Sequence, residues 1–207
     1  MSKVKNKKHD TFIDMTAMSD MTVLLLTFFM LTANFIPKEP VQVMTPASVS
    51  EIKIPEYDVL TILIDPTGRV FLNLDKPEDK EAVLKAIGKA YNLPNFSKEQ
   101  ISSFRNQTSI GVSVRQLHEF LNKPMDEQDQ MLKESGGVPT DTILGPSNQL
   151  AKWIELSKQA NPSLALAIKA DQQTPYPMVK KVFSTLQDLK ENRYSLITTL
   201  RAMPAGL

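Results

Sequence analysis

The sequence predicts an α+β chain: a single N-terminal transmembrane helix, then a small α/β domain outside the membrane in the order β-β-α, helical insertion, β-α-β. Three observations predict it. The run from Ile13 to Ile36, IDMTAMSDMTVLLLTFFMLTANFI, is apolar over most of its length. In VLTILIDPTGRVFLNL, two β-branched runs flank Asp65-Pro66-Thr67-Gly68, which is a hairpin signal. Near the end, SLALAIKA, TPYPMVKKVFSTLQDLKE and YSLITTL read as strand, helix and strand, an α/β unit.

Taken in order, the chain of 207 residues divides into a basic N-terminus at 1–12, the helix at 13–36 and an extended linker at 37–56. An outer domain follows at 57–200, with an insertion at about 91–150, and then a tail at 201–207. A spanning helix needs roughly 20 predominantly apolar residues, and 13–36 meets that length. Two competing readings are disfavoured. A signal peptide needs a small-residue cleavage site, which LTANFIPKEP lacks, and its core does not hold an aspartate. A surface helix of a soluble domain has one polar face, whereas VLLLTFFML is apolar all round.

Charge sets the orientation. Lys3, Lys5, Lys7 and Lys8 precede the span, while Lys38 after it is balanced by Glu39. The excess of lysines places the N-terminus in the cytoplasm and everything after about residue 37 outside, in the periplasm where a cell has two membranes. The overall balance, 24 Lys+Arg against 23 Asp+Glu, gives a net charge of +1 and does not support a nucleic-acid partner. With no cysteine, disulfides and thiolate metal ligands are excluded.

At about 100° per residue, Thr16, Asp20, Thr27 and Asn34 fall within one narrow sector of the helix, and Thr22 and Thr32 point elsewhere. A carboxylate at the bilayer centre costs on the order of 2.5–3.5 kcal/mol, so it normally faces a partner helix or a water path. Asp20 therefore reads as a proton relay, an ion ligand or the partner of a buried cation. The other reading is an interfacial aspartate that caps the helix start. On periodicity alone the two stand level.

The motif IDMTAMSDMTVLLLTFFMLT resembles the signature of the ExbD/TolR family, in which I-N-x-T-P-x-x-D precedes an apolar helix ending in F-M-x-T. Ile13, Thr16, Asp20, Phe29, Met30 and Thr32 match it, whereas Asp14, Ala17 and Asn34 depart from the family's Asn, Pro and Pro. Asp14 adds a second carboxylate without an assigned role. The outer domain is similar too: IKADQQTPYPMVKKVFSTLQDL echoes the family's strand, Asp, Pro-Tyr and helix, and the hairpin and last strand agree. The resemblance implies a bitopic subunit of an inner-membrane motor driven by the proton motive force. Asp20 would relay protons inside a polytopic ExbB/TolQ-like ring, with Thr16, Thr27 and Asn34 lining the path or touching partner helices. It also implies a lipid environment, a homodimer formed at a sheet edge of the outer domain, and a TonB-like periplasmic effector serving outer-membrane import. The alternatives within that class are a TolR-like subunit of the Tol-Pal system, with peptidoglycan contact, and a motility-type stator. Outside it stands an anchored periplasmic binding module in which Asp20 has no relay role.

The insertion reads as helical pieces: Ser97-x-x-Gln100 and Ser113-x-x-Gln116 are capping boxes, DEQDQMLKESGG ends in a glycine pair, and GPSNQLAKWIELSKQAN is amphipathic. No constellation of polar residues marks it, which favours added bulk over a docking device. Asp171 reads as the end of a strand capping the next turn, Trp153 as core with Leu150, Ile154 and Leu156, and His118 as a satisfied structural histidine. His9 and His118 lack ligand spacing, and there is no phosphate loop, nucleophile elbow or dinucleotide fingerprint. No cofactor, metal or enzymatic activity is expected.

Overall fold

A computed structural model of the chain describes residues 15–33, 41–48, 58–141, 145 and 148–200. The expected basic N-terminus, Ile13, Asp14, Asn34, the linker residues 37–40 and 49–56, Tyr57 and the tail lie outside the described residues. The chain divides into two compact units, Met1–Pro37 and Lys38–Leu207. The described part of the first is a single helix, α1 (Thr16–Thr32).

The second unit is α+β. Strands β2 (Val59–Ile64), β3 (Val70–Leu74), β4 (Ala165–Ala170) and β5 (Tyr194–Leu196) form one sheet in the order β3-β2-β4-β5. β2 and β3 are antiparallel, β2 and β4 parallel, and β4 and β5 parallel. Along β2 only Thr61 is not fully buried. Because successive side chains point to opposite faces, that burial means both faces of the sheet are covered, which suits so continuous an apolar run. The expected hairpin is present. Gly68 N donates to Asp65 O at 2.9 Å and Asp65 N to Arg69 O at 3.0 Å. Gly68 takes a φ of 84°, a left-handed conformation that glycine adopts without strain.

After the hairpin comes α2 (Pro77–Ala90), then the insertion with α3 (Lys98–Asn106), a 3₁₀ turn (Val114–Gln116), α4 (Leu117–Asn122), α5 (Met125–Glu134) and α6 (Gln149–Ala160). β4, α7 (Tyr176–Asp188) and β5 complete the expected β-α-β unit. YSLITTL is not one strand. It breaks after β5, and β6 (Thr199–Leu200) leaves the sheet to pair in parallel with β1 (Ala47–Ser48).

The insertion joins the main core. Phe104, Leu117, Phe120 and Leu132 are buried in the same cluster as the sheet residues, and Trp153 is fully buried with its ring stacked near Phe104. The insertion also occupies the outer edge of β3. Leu72 and Ile110 exchange backbone hydrogen bonds of 2.8 and 2.7 Å, and Val138 N donates to Val70 O at 2.7 Å. Gly137 makes this approach possible: its φ is 77°, and a Cβ there would lie 2.8 Å from Val70 N and O. An exposed edge strand is a template for unwanted pairing, so this bulk has a definite structural role.

Of the two capping boxes expected from the sequence, one forms. At α3, Gln100 N donates to Ser97 Oγ at 3.2 Å and Ser97 N to Gln100 Oε1 at 2.9 Å, the expected reciprocal box. The box expected at Ser113 does not form. The side chain of Gln149 takes its place: Oε1 accepts from Val114 N at 2.9 Å and Nε2 donates to Ser113 Oγ at 3.4 Å. A tertiary partner from α6 thus displaces the local cap, and a 3₁₀ turn results. At the other end of α3, Lys80 Nζ donates to Gln107 O and Arg105 O at 2.7 and 3.3 Å. Burial lowers the pKa of this lysine, opposed by the charge of Asp75.

Candidate functional site

α1 is the sequence's candidate site, and its start bears on the capping reading of Asp20. Met15 precedes the helix without a side-chain cap, Ser19 N donates to Met15 O at 2.9 Å, and the first turn has no acidic residue. Asp20 is the fifth helical residue. It lies beyond the positions whose amides need a capping acceptor, so it is not a cap. Its carboxylate makes no hydrogen bond or ion pair with another described residue.

Thr16, Asp20 and Thr27 belong to this one helix, and its geometry places them on a shared side. Asn34 lies outside the described residues. The threonine hydroxyls of the second half turn inward on the backbone: Thr27 Oγ1 reaches Val23 O and Leu24 O at 2.9 Å, and Thr32 Oγ1 reaches Phe28 O at 2.7 Å. Such back-bonding satisfies a hydroxyl in apolar surroundings and leaves its lone pairs to accept from a neighbour. Every α1 side chain is exposed within this chain, including Leu24, Phe28, Met30 and Leu31. An exposed apolar surface of that extent calls for lipid or partner helices.

Among the described residues, no helix is long and apolar enough to cross a membrane. α1 has 17 residues, about 25 Å at the α-helical rise, against the roughly 20 residues a span requires.

A second set of contacts, in the outer unit, fastens the segment read from sequence as linker. Val41 and Val43 are buried in the core cluster. Met44 N donates to Asp171 Oδ2 at 2.8 Å, and Gln172 N donates to Met44 O at 2.9 Å. Asp171 also takes its expected place at the end of β4, accepting from Gln173 N through Oδ1 at 2.9 Å. One carboxylate therefore shapes the β4–α7 turn and holds the segment leading into the domain. The alternation Val41-Gln42-Val43 was the available signal for this docking, since period two marks a half-buried extended segment. Asp171→Ala is expected to speed hydrogen exchange at the Met44 amide by about 10- to 100-fold, the effect of losing one hydrogen bond to a charged group. The β2 amides should keep their protection, and equal acceleration of both would show that Asp171 supports the whole domain instead.

His118 is satisfied on both ring nitrogens. Gln100 Nε2 donates to Nδ1 at 3.3 Å, and Nε2 faces Pro94 O at 3.1 Å, so the proton belongs on Nε2.

The model of the family described as biopolymer transport protein ExbD/TolR matches residues 6–200. No curated protein and no solved structure matches the chain.

Proposed function

The chain belongs to the ExbD/TolR family, and we propose that it is the single-pass subunit of a proton-driven inner-membrane motor in which Asp20 is the relay group. Family membership makes it a membrane-associated subunit that energises biopolymer transport, and the family works with ExbB/TolQ-type membrane partners. The observation that carries the finer reading is the position of Asp20: past the cap, on an apolar helix, with no partner of its own among the described residues.

In this reading the sequence stretch 13–36 spans the membrane with its lysine-rich end in the cytoplasm, and the outer unit lies in the periplasm. Asp20 sits within a polytopic ring. A carboxyl group moving between apolar and hydrated surroundings changes its preferred charge state, and each unit charge crossing the potential is worth about 2.3 kcal/mol per 100 mV. That energy shifts the helix in its ring, Thr16 and Thr27 accept hydrogen bonds along the path, and the chain beyond passes the motion outward. The role is mechanical, not enzymatic. The effector is a TonB-type protein serving outer-membrane import. A second copy pairs at β5, because the insertion already fills the outer edge of β3.

Purification of the full chain from its own membranes in mild detergent tests the assembly. A polytopic ring partner is expected in stoichiometric amount, with a TonB-type protein recovered after crosslinking. Recovery of the chain alone would remove the motor reading, and a Tol-type effector would move it to the envelope branch.

A further inference from the structure

A groove in the outer unit belongs neither to α1 nor to the Asp171 contact. α2 ends at Ala90, and the chain turns back at once: Leu93 N donates to Gly88 O at 2.8 Å, and Asn92 takes a φ of 52°. The far wall of this turn is fixed from behind. The Phe96 ring stacks on His118 at 4.4 Å between centroids, and His118 holds Pro94 O. Gly88 eases the approach of Phe96 to α2, since a Cβ there would stand 3.0 Å from Phe96 Cε2, tighter than most such contacts. What remains open is a groove of about 680 Å³ whose polar lining is Lys85, Lys89, Asn92 and Asn95, with Leu93 and Phe96 among its apolar lining.

Among the described residues, no acidic side chain lines this groove. Lys85 is paired with Glu81 at 2.6 Å, but the same carboxylate also faces Arg105 at 3.9 Å, so one anion answers two cations. Lys89 is exposed and has no ion pair among the described residues. We propose that the groove docks an extended acidic segment of a protein partner. Its carboxylates meet Lys89 and Lys85, its backbone amides and carbonyls meet the side-chain amides of Asn92 and Asn95, and an apolar side chain rests on Leu93 and Phe96. Charge complementarity selects this occupant: a neutral glycan leaves Lys89 unanswered and Glu81 shared between Lys85 and Arg105, whereas carboxylates supply the missing negative charge and gain in association rate. The proposal does not depend on Asp20 or on a ring.

The test uses the full chain in non-ionic detergent and two fluorescein-labelled nonapeptides alternating Leu or Phe with polar residues, Asp and Glu in one, Asn and Gln in the other. The acidic peptide is expected to bind about tenfold more tightly at low salt, with the preference falling as salt rises. Lys89→Glu should weaken the acidic peptide about fivefold and leave its amide counterpart unchanged, because one partly screened pair becomes a repulsion. Trp153 fluorescence on heating checks that the variant remains folded. Equal binding of the two peptides, binding of neither, an unchanged preference in a folded Lys89→Glu chain, or displacement of the acidic peptide by a neutral chito-oligosaccharide would each overturn the proposal.

Discussion

If Asp20 is the relay group of the proposed motor, Asp20→Asn is expected to reduce growth that depends on outer-membrane iron or cobalamin uptake to the level of a deletion strain, while the variant still purifies with the proposed ring partner. The substitution keeps size and hydrogen-bonding capacity but removes the proton that is gained and lost. A helix that only tethers the outer unit would tolerate it, because Asn is cheaper than a carboxylate in apolar surroundings. Asp20→Glu keeps a titratable group on a longer stem and should retain part of the activity, since misplacement alone costs less than loss of the exchangeable proton. Normal growth of the Asn variant, with import shown to need the chain, would leave the anchor reading in possession. The position of Asp20 makes this outcome informative. A capping aspartate replaced by Asn would cap equally well, so loss of function cannot be blamed on a frayed helix start.

The order of elements was legible because each carries its own short-range signal. Period-two runs around Asp65-Pro66-Thr67-Gly68 marked the hairpin, and Ser97 with Gln100 marked the start of α3. Long-range contacts were not legible, since nothing local announces them. Ser113 carries the same capping pattern as Ser97, yet Gln149, distant in sequence, takes over its role. Leu72 has no feature predicting that Ile110 will pair with it, and an insertion that looked like filler proves to seal a sheet edge. Asp171 shows both sides at once: the turn it shapes was readable from its position, and the Met44 amide it accepts was not. For α1 the case is reversed. Its apolar run, its stripe and its motif all lie within a few turns, so the candidate residue was named by sequence, and the structure added that Asp20 is past the cap.

Arg69→Ala is expected to destabilise the outer unit by about 2–4 kcal/mol, because one side chain ties the hairpin to the insertion. Arg69 Nε donates to the buried carboxylate of Asp65 at 2.6 Å, and Nη1 donates to Lys133 O and Ser135 O at 2.5 and 3.0 Å. The guanidinium also lies 5.7 Å from the centroid of the Phe71 ring. Removing it strips donors from a carboxylate that is only 3% exposed and from two carbonyls at the end of α5. Acid dependence separates the carboxylate's share. Burial alone would raise the pKa of Asp65, but hydrogen bonds from Thr67 and Arg69 and the guanidinium charge outweigh it, and the pKa is lowered. A lowered carboxyl pKa contributes stability that is fully present above the unfolded value of about 3.9 and is lost as pH falls through the folded value. The wild-type chain should therefore lose more stability on acidification than Arg69→Ala, and the gap between them should be widest above about pH 4 and narrow below it. Urea unfolding of the full chain, followed through Trp153, measures this directly, because the only tryptophan is buried in the outer unit. A gap that stays constant across that range would assign the whole effect to the carbonyl and ring contacts and none to the ion pair.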